Sequence, residues 1–364
     1  MFAKLLGIVI KSVLKYTYFN DKSQELLPLH RKMKAQIKYQ NSRSVILLIF
    51  LTLLIFLDIG LGSMPVSFDS IISGIFNYDP SSSEEMTVRI FRFPRVITAV
   101  MAGIALSISG LLMQTLFQNP LAGPYILGIN SGASLMVALS TMTGVSLFNH
   151  DVGIVTAALL GALGAGIFIL FCSIYVRSKI SLLLVGIMFG SFAGALVSVI
   201  QSYSNPNSLK VFMMWSFGSL QNVHYEQLGL LTTIVFIGVL LTLFLVKPLN
   251  LLVLGDTNAS FLGVNIKAVR LLIIVVTALL TGTITAYCGP IAFVGLIVPN
   301  IAKLIYKTTN HFHLLIGTLL MGALMIILCD IIMQLMYPII HLPLNALTAL
   351  MGAPVVVWII LKRF

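Results

Sequence analysis

Apolar runs of about 20 residues, the length that crosses the hydrocarbon core of a bilayer, recur from Val45 to Phe364 with no soluble domain between them. A backbone in lipid must satisfy its own hydrogen bonds, and unbroken apolar runs, without the alternation of a barrel strand, do so as helices. Ten such segments are read, at roughly 45–62, 95–117, 125–145, 152–175, 181–203, 226–246, 269–287, 291–306, 313–335 and 344–361. Pro299 interrupts the eighth, which is therefore expected to be broken or tilted. Only 9% of the 364 residues are charged, against about a quarter in a soluble domain. The fold class is an all-α polytopic membrane protein.

The net charge of +11 is explained by sidedness and does not argue for nucleic acid. With the N-terminus inside and ten alternating spans, eighteen of the 22 Lys and Arg fall on the cytoplasmic side, leaving Arg89, Arg92, Arg95 and Lys210 outside. Most acids, among them Asp69, Asp79, Glu84, Glu85 and Glu226, fall outside too. Both termini are then cytoplasmic.

Two parts are expected: a basic cytoplasmic extension over residues 1–44 and a transmembrane domain over 45–364. Lys4, Lys11, Lys15 and Lys22 share one helical face, as in a helix lying at a membrane surface. The rival readings are a secretory signal, for which no small-residue cleavage site follows the apolar stretch, and a start at Met33.

No phosphate-binding G-x-x-x-x-G-K-[ST] motif and no catalytic-triad spacing occurs, so any energy source belongs to a partner or to an ion gradient. An ion-driven secondary transporter wants several intramembrane carboxylates, and the candidates are Asp58 and Asp330, both near the outer surface. Asp58 reads as interfacial and Asp330 as paired within the subunit. Cys172, Cys288 and Cys329 read as small buried hydrophobes, and His311 and His313 as surface histidines, so no metal site is expected.

Three segments are too specific to be connectors. Arg92-Phe-Pro-Arg95 leads into a span rich in small residues, Gly103, Ala105, Ser107, Ser109 and Gly110, which allow close helix approach. That span ends in Gln118-Asn-Pro-Leu-Ala-Gly-Pro, where non-helical backbone at the inner end points either to a cytoplasmic gate at Asn119, Pro120 and Leu121 or to a plain helix-ending turn. The others are Leu254–Arg270, punctuated by Gly255 and Gly263, and Gly289–Lys303.

Together with Trp215–Leu220 and Leu342–Pro354, these segments resemble, in the same order, the FecCD family of ABC permeases, which includes vitamin B12, ferric siderophore and haem importers. The resemblance implies a ten-helix permease subunit of the bacterial inner membrane that dimerises about the translocation path. It has no chemistry and no cofactor of its own; two ATP-binding cassette subunits bind ATP and Mg, and an external substrate-binding protein delivers cargo. By the same resemblance Arg92 and Arg95 dock the binding protein. The loop bearing Gly255, Asp256, Phe261, Leu262 and Gly263 couples to the ATPase. Span five lines the pore with Gly186, Gly190 and Gly194, although glycines at that spacing equally make a packing seam. The chain departs from the family pattern at Gly123, Asn300, His341, Asn345 and Gln334, the last standing where an arginine often follows the aspartate.

Overall fold

The computed structural model describes residues 36, 38–62, 64–143, 150–176, 178–337 and 339–363, so the basic helix expected around Lys4–Lys22 lies outside the described residues. Two units are distinguished, Met1–Leu47 and Leu48–Phe364, and the second holds all the geometry below.

In chain order, helix α1 runs Lys38–Gly60. It is followed by α2 (Phe68–Phe76), α3 (Ser83–Thr87), a π-helical turn (Val88–Arg92), α4 (Phe93–Phe117), a 3-10 turn (Pro124–Leu127), α5 (Ile129–Met142) and α6 (His150–Tyr175). Then come α7 (Lys179–Tyr203), α8 (Pro206–Ser216), α9 (Tyr225–Leu252), α10 (Asp256–Phe261), α11 (Ile266–Cys288), α12 (Val294–Tyr306), α13 (His311–Met336) and α14 (Leu344–Arg363). No strand occurs among the described residues. Among the described residues seven helices are long and apolar enough to cross a membrane, and Val294–Tyr306 and Leu344–Ile359 are shorter apolar helices. The segment read at 125–145 divides into the 3-10 turn and a 14-residue α5, which is about 21 Å long.

The core is built around α4. In its most apolar stretch 83% of residues are buried, against 17% for α7. The reason lies in its small residues. A Cβ added at Gly103 would collide with the Gly322 carbonyl of α13, and one at Gly110 with the Gly295 carbonyl of α12. Backbones can approach this closely only where side chains are missing. The Ser107 hydroxyl, buried at that seam, donates to its own helix and lies 3.0 Å from the Thr318 carbonyl of α13. A second seam of the same kind joins α5 and α6 at Gly132 and Gly161.

Proline shapes the two ends of this core. Pro94 lacks an N–H and would leave a carbonyl unpaired one turn back. The chain meets this with the π-turn before α4, in which the Phe93 amide reaches back to Val88. Pro299 lies inside α12 without breaking it; α12 is simply short, 13 residues, and is entered through Phe293 in a left-handed conformation (φ 66°).

Segments far apart in sequence meet where α8, α11, α12 and α14 come together. Ser219 N–H donates to the Cys288 carbonyl (2.8 Å), Asn345 N–H to Phe217 (3.0 Å), and Ala292 N–H to the Asn345 side chain (3.1 Å). The Tyr125 hydroxyl donates to the Ile291 carbonyl and accepts from the Ile291 amide. Non-helical backbone is thus satisfied by helix ends and by the Asn345 and Tyr125 side chains, as a bilayer requires.

Gly110→Ala is expected to destabilise the detergent-solubilised protein by about 1–3 kcal/mol through overpacking, seen as a lowered unfolding temperature. Gly164→Ala, whose added Cβ meets nothing within 4 Å, is expected to leave it unchanged.

Candidate functional site

The outer end, defined by the scarcity of basic residues, is organised by Arg92 and Arg95. They stand three apart where α4 begins, so they point to neighbouring sectors of the helix. Arg92 is buried, and its guanidinium donates to the Ile59 carbonyl (2.7 Å), the Gly60 carbonyl (3.0 Å) and the Met64 carbonyl. It thereby supplies donors to the carbonyls left open at the end of α1. Arg95 forms an ion pair with Asp330 of α13, Nη2 to Oδ1 at 2.6 Å with Nε at 2.9 Å. Neither arginine stands as a free charge on the rim; both are fastened inside the subunit.

Asp330 is fully buried, as the reading of an internal pair anticipates. Asp58 differs from its reading as interfacial: it too is buried, and Gln334 Nε2 donates to it at 2.6 Å while lying 3.3 Å from Asp330. Gln334 sits one helical turn from Asp330, so one amide faces both carboxyl groups. Gln334, one of the five departures noted in the sequence, is thus the bridge between α1 and α13. The signal for this lay in the sequence, as an amide four residues after a buried acid.

Outside this cluster the loop carries acids. Glu85 accepts from the Ser73 hydroxyl and the Asp79 amide, both at 2.7 Å, and Glu84 accepts from the Ser67 amide at 3.0 Å. The Ser81 amide and hydroxyl hold the Asp79 carboxyl below its ordinary range. Arg89 sits against the rings of Tyr78 and Tyr225, 4.9 and 5.1 Å from their centroids.

At the inner end α4 stops in a left-handed Gln118 (φ 51°), with the Asn119 amide reaching back to Gln114, a Schellman ending. Asn119 Oδ1 accepts from the Leu121 amide (2.9 Å), and Asn300 Nδ2 of α12 donates to the Pro120 carbonyl (2.8 Å). Gln118 Nε2 donates to Leu252, the last residue of α9, at 3.0 Å. Gln114 donates to Leu296 and accepts from Lys303. His311, read as a surface residue, is buried, between Thr115 of α4 and Asn250 of α9 at 2.9 Å each. The Asn119–Leu121 turn is therefore a capped helix ending fastened to α9 and α12.

Beside it, α10 rises between two glycines with positive φ, Gly255 (94°) and Gly263 (88°), a conformation that penalises any Cβ. Asp256 is the first helical residue of α10, and its carboxylate pairs with Lys179 Nζ at 2.7 Å. Phe261 and Leu262 are exposed, at 85% and 59%. Of the three glycines expected on a pore wall, Gly186 is buried with its open face against the Ile126 carbonyl, Gly190 faces the Ser131 hydroxyl, and Gly194 meets nothing. Gly186 is a packing contact. Gly194 is exposed, as are Leu184, Met188, Phe192 and Val199.

A central helix with a buried polar network at each end and apolar helices around it is the build of a multi-pass helical membrane protein. The chain belongs to the FecCD transport family, which it matches over residues 48–362. It is 34% identical over 324 residues to the hemin transport system permease protein HmuU of Yersinia pestis, covering 87% of this chain and 94% of that one. It is likewise 34% identical over 284 residues to the vitamin B12 import system permease protein BtuC of Salmonella typhi, covering 78% and 86%. Among solved structures it resembles a chain from an inward-facing ABC transporter described as of the metal-chelate type, with a TM-score of 0.78, 28% identity, and coverage of 88% of this chain and 99% of that one.

Removing one partner of a buried pair leaves the other charge uncompensated. Arg95→Met is expected to destabilise the protein by about 3–5 kcal/mol, read as a lowered unfolding temperature in detergent. Arg95→Met combined with Asp330→Leu is expected to recover most of that loss.

Proposed function

We propose that this chain is the membrane-spanning subunit of an ATP-driven importer in a bacterial inner membrane, carrying a compound of the iron-siderophore, haem or cobalamin kind inward. Two copies enclose the path, two separate ATP-binding cassette subunits bind ATP and Mg, and an external binding protein presents the cargo. This chain contributes a path and a coupling surface and no catalytic group.

The observation that carries the reading is the pair Phe261 and Leu262. An exposed phenylalanine beside an exposed leucine, on a short helix at the basic, cytoplasmic end, is costly in water and marks a surface for a partner. Such a knob fits a groove on another subunit. The haem and vitamin B12 permeases among its relatives support the cargo class, and selection among cargoes rests with the binding protein. Arg92 and Arg95 serve docking indirectly, by holding the 59–64 backbone and the outer end of α13 where a binding protein would sit. The Asn119–Leu121 turn serves as an inner gate when its fastenings to α9 and α12 shift.

The test is uptake of labelled hemin, cyanocobalamin and a ferric siderophore into vesicles holding the chain, its ATPase and its binding protein. One cargo is expected to enter with ATP and not without it, unaffected by collapse of ion gradients. Uptake that follows an ion gradient and ignores ATP would contradict the reading. Phe261→Asp with Leu262→Asp is expected to weaken ATPase association by about tenfold or more, measured by titrating the ATPase onto the solubilised chain.

A further inference from the structure

The fastening of α10 to α7 has no explanation in stability. Lys179 is the first residue of α7, where a cation opposes the positive end of the helix dipole. The helix already has its cap, Ser178, whose side chain accepts from the Ser181 amide. Asp256 is the one charged residue in α10 and stands at that helix's first position, which suits an acid. Lys179 is therefore placed against its own helix and in favour of its contact with the other. Both side chains are partly open to solvent, 18% and 33%, and a pair so exposed contributes about 0–1 kcal/mol to folding.

The same short stretch is gripped a second time. Arg270, in the first turns of α11, donates from Nη1 to the Val176 carbonyl at 3.2 Å. Val176, just after α6, and Lys179, which begins α7, are thus held by the helix after Gly263 and by the helix before it, respectively. Gly255 and Gly263 have nothing within 4 Å of an added Cβ, so α10 has room to move at both of its ends. Helix α7 has less of its apolar stretch buried than α4, α11 or α13, so displacing it disrupts less packing than displacing any of those. One of the contacts of α7, Gly186 on the Ile126 carbonyl, passes a displacement to the 3-10 turn that follows the Asn119–Leu121 ending.

We infer that the Lys179–Asp256 ion pair is the link by which movement of α10 shifts α7. It makes Lys179 and Asp256 positioning residues for transport, not residues of the ATPase contact. The inference rests on α10 being the ATPase-coupling helix, as proposed above. The route runs from the exposed Phe261 and Leu262 through Asp256 to Lys179, then along α7.

The assembled importer, with native cysteines replaced by alanine, tests it without any cargo. A cysteine introduced as Tyr203→Cys at the far end of α7, where the residue is 88% exposed, is labelled with a maleimide before and after trapping with ATP and vanadate. The labelling rate is expected to change on trapping by about threefold or more. Lys179→Met is expected to abolish that change while ATPase binding and hydrolysis persist, and Lys179→Asp with Asp256→Lys to restore it. A change that persists in Lys179→Met overturns the inference, as does one the exchanged pair fails to restore. Loss of ATPase binding in Lys179→Met also overturns it, since the pair would then belong to the docking surface. Phe261→Asp with Leu262→Asp is measured alongside. If that variant binds the ATPase normally, it is the coupling role of α10 that fails, separately from the ion pair.

Discussion

The whole arrangement depends on how closely α4 is approached by α12 and α13. Between apolar helices in lipid there is no hydrophobic gain on association, so contact must come from dispersion and a few hydrogen bonds. Bare glycine at positions 103 and 110 lets the backbones touch. That contact sets the register in which Arg95 meets Asp330 at one end and Gln114 meets Leu296 and Lys303 at the other. A shift of a single turn, about 5.4 Å, would strand all of these groups.

The two ends are built differently because their tasks differ. At the outer end the fastenings involve charges at very low exposure: Arg92 on three carbonyls, Arg95 on Asp330, and Gln334 between two acids. Such groups are costly to separate, and they make the outer corner of α1, α4 and α13 one stiff piece. At the inner end the fastenings are mostly single side-chain hydrogen bonds, those of His311 and Lys303 among them, and one partly exposed ion pair, each worth about 1–3 kcal/mol. Contacts of that size can exchange at each cycle of an attached motor. Stiffness outside and exchangeable contacts inside suit a subunit whose driving partner sits in the cytoplasm.

Much of this was legible in the sequence. The apolar runs fall where helices occur, the small residues of α4 lie at its seams, and the glycines bounding α10 carry the positive φ their spacing announces. What was not legible turns on distance in the chain. Asp58 reads as interfacial because nothing near it in sequence shows that Gln334, 276 residues on, covers it. His311 reads as a loop residue because its partners Asn250 and Thr115 lie on other helices. Arg92 and Arg95 break the charge rule, which marks them as special, but the rule cannot say whether they face a partner or the fold. The 125–145 run reads as one segment because apolarity does not distinguish a 3-10 turn from a helix, although Pro124 and Gly128 bracket the turn.

The central claim is that the stiff corner and the α10 knob lie on opposite faces of the bilayer, so that one subunit joins events outside to force applied inside. Side-specific labelling tests it most directly. Phe76→Cys on α2 and Phe261→Cys, both at strongly exposed positions, are treated with a membrane-impermeant maleimide in vesicles of known orientation. The account predicts that the first reacts only from the periplasmic face and the second only from the cytoplasmic face. Reaction of both from the same side would contradict it.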